Sequence, residues 1–130
     1  MTQESKPEGK FYFHFLAVPA EAFLNPEITH TETFLFSLIK NMSSSTKGCW
    51  ASNKYFADIL RVTKRTITHS LSDLESKGYI KIHLTENDRK IFIDENYKVR
   101  YRNLVSMFNR AYVDNDEESK IEFVNMGKDS

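Results

Sequence analysis

The chain has 130 residues with Lys+Arg and Asp+Glu balanced at 18 each, 40% hydrophobic and 13% aromatic residues. That composition fits one folded domain and excludes a disordered polyampholyte. A single cysteine, Cys49, excludes an internal disulfide framework, and no apolar run approaches the roughly 20 residues of a membrane span.

Residues 1–10 read as a flexible leader. Phe11, Phe13 and Phe15 alternate with Tyr12 and His14, so Phe11 to Val18 is expected to be a strand with one apolar face. Pro19 opens a short helical turn over Ala20 to Leu24, closed by Asn25-Pro26. Thr29 and Glu32 have capping-box spacing at the head of a helix running to Asn41, with Phe34, Leu35, Leu38, Ile39 and Met42 as its apolar stripe. Met42 to Gly48 is a serine-rich loop.

Ser52 is placed to cap a helix over Asn53 to Leu60, whose expected buried side is Phe56, Ala57, Ile59 and Leu60. Arg61-Val62-Thr63 forms a tight turn, and Thr63 caps a further helix, Lys64 to Lys77. Ile67, Leu71 and Leu74 recur at i, i+4 and i+7 and face inward, while Gly78 sits where a left-handed cap is needed. Tyr79 to Leu84 and Lys90 to Asp94 are strand-like and joined by a polar turn, which predicts a hairpin. Val99 to Val113 is expected to be one more helix, with Leu104, Val105, Phe108 and Tyr112 on its apolar side. The acidic run past Asp114 reads as a solvated linker within a tail over residues 114–130, leaving Ile121, Phe123 and Val124 unplaced.

Two short helices across a tight turn, then a hairpin, form the pattern of a winged helix-turn-helix. The expected fold is therefore α+β: a winged helix-turn-helix over residues 11–97 with an extra N-terminal strand, followed by a C-terminal helix over residues 98–113. The neutral total hides a gradient. Residues 53–94 carry eight basic against six acidic groups and residues 95–112 four against one, whereas residues 113–130 carry two against six. A local basic patch matters more to phosphate than the net charge.

With Ile67, Leu71 and Leu74 turned inward, Lys64, Arg65, Thr66, Thr68, His69 and Ser72 are left to other faces of the third helix. They are of the types that reach phosphates and base edges, and a helix N-terminus adds free N–H groups and partial positive charge. Further contacts are expected from Thr63 and Arg61 in the turn, from Asn53 and Lys54 at the start of the second helix, and from Arg89 and Lys90 at the hairpin tip. Glu86 and Asp88 lie beside that tip and oppose phosphate there.

No metal-ligand spacing, phosphate loop or nucleophile motif is present, so neither catalysis nor any cofactor or metal is expected. His14, His30, His69 and His83 are scattered, and Cys49-Trp50 reads as a core plug.

The run GCWAS, then YFADILRVTKRTITHSLSDLESKGYI, resembles the helix-turn-helix domain common in bacterial plasmid and phage replication proteins and small regulators. The likeness spans about Ile28 to Asp94 and rests on Cys49, Trp50, Ser52, Phe56-Ala57, Val62-Thr63, Lys64-Arg65-Thr66-Ile67, Leu74-Glu75 and Gly78-Tyr79-Ile80. Ala51 replaces the family's usual proline, and Arg61 its usual turn glycine.

The resemblance implies sequence-specific binding of double-stranded DNA, and the single cysteine suits a cytoplasmic protein. A chain of this length leaves no room for a nuclease or helicase beside the reader, so the expected role is a transcriptional repressor of a plasmid, phage or mobile element. A homodimer is expected, because one half-site offers little specificity. Two alternatives stand beside this: a replication-origin binder, and a protein-interaction adaptor using the same winged-helix surface.

Overall fold

Tyr79 lies at the centre of the molecule, fully buried, with its hydroxyl donating to the Glu21 carbonyl at 2.8 Å and accepting from Asn25 Nδ2 at 3.0 Å. Phe36, Tyr97 and Tyr101 close around its ring, Phe36 edge-on at 5.0 Å and Tyr101 stacked at 4.7 Å. A computed structural model describes residues 15–43, 47–113 and 116–126. The element order is α1 (Ala20–Phe23), α2 (His30–Met42), α3 (Asn53–Leu60), α4 (Lys64–Ser76), β1 (Ile80–Leu84), β2 (Arg89–Ile93), α5 (Tyr97–Arg100), α6 (Arg102–Phe108), a π-helical turn (Asn109–Val113) and α7 (Glu117–Met126).

The local signals act as read. Thr29 Oγ1 accepts from the Glu32 amide at 3.1 Å while Glu32 Oε1 accepts from the Thr29 amide at 2.9 Å, so both halves of the capping box are made. Ser52 and Thr63 each accept from the amide three residues on, at 3.1 Å, and so begin α3 and α4. Gly78 has φ of +82°. Its amide donates to the Glu75 carbonyl and the Tyr79 amide to the Leu74 carbonyl, which is the pair of bonds of a Schellman cap. That cap turns the chain from α4 into the hairpin.

α2 is the central helix and packs on α1, α3, α4 and β2. This position reverses one expectation. Phe36 is completely buried whereas Phe34 is 42% exposed, because the neighbours surround a wider arc of α2 than one stripe. In α3, Phe56 and Ala57 are buried as expected, but Ile59 stays exposed and Leu60 half-buried, since a two-turn helix is covered on one side only. In α4, Ile67, Leu71 and Leu74 are all buried.

β1 and β2 pair antiparallel in the register Ile80↔Ile93 to Leu84↔Arg89. Cys49 adds a bridge to the outer edge of β2, with reciprocal bonds to Ile91 of 2.7 and 2.8 Å. Cys49 is buried there, and desolvation pushes its thiol up.

Two expectations at the ends of the chain need correction. Residues 15–19 contain no strand; the first half of the strand expected over Phe11 to Val18, like the 1–10 leader, lies outside the described residues. The C-terminal helix is not continuous. It breaks at Tyr101, where φ is −112° and the hydroxyl donates to the Lys77 carbonyl while the ring lies on Tyr79. The acidic segment is helical from Glu117, not a linker. α7 folds back on α6: Phe123 meets the rings of Phe108 and Tyr112, and Arg110 donates to Ser119 Oγ at 2.6 Å and pairs with Glu122 at 3.2 Å. Periodicity alone did not reveal this return, because its signal is one phenylalanine and one arginine whose partners lie nine to fifteen residues away.

Candidate nucleic-acid interface

α4 carries the best-defined outward face. At 3.6 residues per turn, Ile67, Ser70, Leu71 and Leu74 occupy an arc of about 100°. All four are buried. Arg65, His69 and Ser72 fall on the opposite side of the helix, and all three are exposed. Lys64 and Thr68, also exposed, lie on the flank nearer α3. Among the described residues, Lys64 and Arg65 have no carboxylate partner. They stand on the first turn of a 13-residue helix, where unpaired amides add to their charge.

The other expected contacts divide by what they already do. Arg61 is exposed in the turn with φ 61° and ψ 44°, the left-handed conformation that a glycine would adopt without strain. It has no partner among the described residues. Thr63 and Thr66 hold one another, oxygen to oxygen at 3.0 Å, so both hydroxyls serve the helix cap. Lys54 is exposed but pairs with Asp58 at 2.8 Å, and that carboxylate raises its pKa.

Arg89 is placed differently from the expectation. In the pleat of β2, residues alternate between the two faces, and Arg89 shares the inner face with the buried Ile91 while Lys90 points outward. The Arg89 guanidinium donates to Asn53 Oδ1 at 2.6 Å and to the Ala51 carbonyl at 2.7 Å. Desolvation there pushes its pKa below the ordinary arginine value. Asn53 in turn donates through Nδ2 to Thr68 Oγ1 at 3.3 Å, and Thr68 donates to the Lys64 carbonyl at 3.1 Å. A polar relay therefore runs from the hairpin through α3 to α4. Arg89 and Asn53 fix the wing against the two helices, with Arg89 turned away from the tip.

Glu75 extends the same bracing, accepting from the Ile82 amide at 2.9 Å. Sequence reading missed this anchor, whose partner lies seven residues on and in another element. It also passed over Lys81 and His83, which strand alternation would have placed on the outer face of the hairpin beside Lys90. Among the described residues, no cluster of His, Cys, Asp and Glu is arranged to hold a metal ion, and no helix is long and apolar enough to cross a membrane.

Comparison with known proteins agrees with this geometry. Residues 27–80 match a family model described as a helix-turn-helix domain, which covers α2, α3, α4 and the first residue of β1. This stretch of the chain is a helix-turn-helix domain, followed by a wing-like antiparallel hairpin, and such a domain points to DNA binding. No curated protein and no solved structure matches the chain.

Proposed function

We propose that the protein binds a specific site on double-stranded DNA with α4 in the major groove, and acts as a transcriptional repressor of a plasmid, phage or other mobile element. The observation that carries the reading is the exposed face of Arg65, His69 and Ser72, flanked by Lys64 and, across the turn, Arg61, neither of whose side chains has a partner among the described residues. Arginine suits guanine edges, serine and histidine suit several acceptors, and the lysine and turn arginine suit phosphates. Asn53, Thr63, Thr66, Thr68 and Arg89 act in this reading as the frame that holds α4, and Lys90 as a flanking phosphate contact.

The working unit is a homodimer formed through the C-terminal helices. Val113, Ile121 and Val124 are exposed apolar side chains on α7 and the preceding π-helical turn, which supports a covered face in the assembly. Light scattering after gel filtration is expected to give twice the chain mass at tens of micromolar; a strict monomer refutes the dimer. Selection of bound genomic fragments, followed by footprinting, is expected to recover the protein's own promoter. Recovery of repeats at a replication origin would replace the repressor role, and absence of salt-dependent duplex affinity would remove DNA binding altogether.

A further inference from the structure

The outer face of the hairpin is a second surface. Ile91 and Cys49 both point into the core, so the residues on either side of them point out. The antiparallel bridge then sets Trp50 opposite Lys90 and Gly48 opposite Phe92, while the hairpin register sets Lys81 opposite Phe92 and His83 opposite Lys90. Trp50 is 47% exposed, and Lys81, His83 and Lys90 are exposed. The His83 and Phe92 rings lie 4.9 Å apart. Phe92 can settle over the backbone because position 48 is glycine; a Cβ there would stand 3.0 Å from the ring.

Three rings and two lysines thus share one strip of sheet, and none of its six positions carries a carboxylate. Rings offer stacking to bases, and lysines offer charge to phosphates. In a duplex the faces of the bases are already covered by their neighbours, so only an unpaired strand can stack its bases on rings presented by a sheet. An apolar partner would be deterred by the lysines, since Lys90 lies between Trp50 and His83 and Lys81 lies beside Phe92. We infer that this face binds single-stranded DNA, with Trp50, Phe92 and His83 stacking on bases and Lys81 and Lys90 holding the phosphates. The surface is distinct from the exposed face of α4, shares only Lys90 with the proposed duplex contacts, and does not require the duplex reading to hold.

Trp50 is the one tryptophan of the chain, so its fluorescence reports on this strip directly. An oligothymidine of about 12 nucleotides is expected to quench it, and a mixed-sequence duplex of equal length to leave it unchanged. Trp50→Leu should weaken oligothymidine binding about tenfold, read by anisotropy of the labelled strand. Lys81→Gln with Lys90→Gln should also weaken it about tenfold and lower the salt dependence, with the Trp50 reporter intact. Circular dichroism and melting establish that each variant is folded; if Trp50→Leu does not fold, the lysine pair decides. Equal quenching by the duplex, unchanged affinity in the lysine variant, or an oligouridine bound at least tenfold more tightly would each overturn the inference.

Discussion

Arg89 Nη1 donates to Asn53 Oδ1 at 2.6 Å and so ties the first residue of β2 to the first residue of α3, 36 positions earlier. Hydrogen bonds to a charged group contribute about 1.5–3 kcal/mol each when a partner is removed from a desolvated site. Arg89 is half-buried, which favours the low end of that range. Arg89→Ala is therefore expected to cost about 2 kcal/mol in urea denaturation and to speed amide exchange in the hairpin. Arg89→Lys should recover little, because one ammonium cannot reproduce the two-pronged contact with Asn53 and Ala51. Full stability in the lysine variant would show that the brace is unimportant.

Lys64 and Arg65 are exposed and have no carboxylate partner among the described residues, so they contribute little to folding. Lys64→Ala with Arg65→Ala is expected to abolish a mobility shift on duplex DNA at moderate salt, while the melting temperature stays unchanged. If residual binding is measurable, the slope of log K against log salt should fall by about one unit for the lost Lys64 phosphate contact, and discrimination between duplex sequences should weaken with the loss of Arg65. An unaltered slope would place the charge contacts elsewhere.

Arg61 adopts a conformation that costs a residue with a Cβ about 1 kcal/mol. Arg61→Gly is expected to stabilise the fold by about that amount, read as a higher denaturation midpoint. The same variant should weaken duplex binding and lower the salt slope by about one unit. A variant that is more stable and binds equally well would show that Arg61 is not a phosphate ligand.

Glu32 is buried between α2 and α4, and desolvation raises its carboxyl pKa, with Asp73 adding to the rise and the Thr29 amide opposing it. The folded state therefore holds that proton more tightly than the unfolded state. This contribution is fully present below the ordinary glutamate value and is lost as pH rises through the raised folded value. Glu32→Gln keeps the capping-box acceptor and removes the charge. It should be relatively more stable at pH 7 than at pH 4.5 when compared with the parent protein in thermal melts. The reverse trend would mean that the ionised carboxylate is the stabilising form.

Much of the helical core was legible along the chain. Thr29 with Glu32, Ser52, Thr63 and Gly78 mark helix ends through bonds that close within three to five residues, so their outcome depends on neighbours already present in the sequence. The spacing of Ile67, Leu71 and Leu74 likewise determines which face of α4 is buried, and by subtraction which is exposed. That Arg61 stands where the resembled domain usually has glycine was readable along the chain, whereas its left-handed backbone is a finding of the structure.

Packing between distant segments decided the rest. Phe36 and Phe34 are equivalent by composition, and only the arrangement of α1, α3, α4 and β2 around α2 buried one and exposed the other. Arg89 and Lys90 are adjacent cations; the Cys49–Ile91 bridge orients the pleat so that one becomes a brace and the other faces outward. Tyr101 ends α5 because its ring and hydroxyl are held by Tyr79 and Lys77, and the acidic end becomes a helix because Phe123 and Glu122 find partners on the preceding segment. Caps and periodicity are short-range chemistry and can be read residue by residue. The partner of a guanidinium or a ring many positions away exists only once the chain has closed on itself.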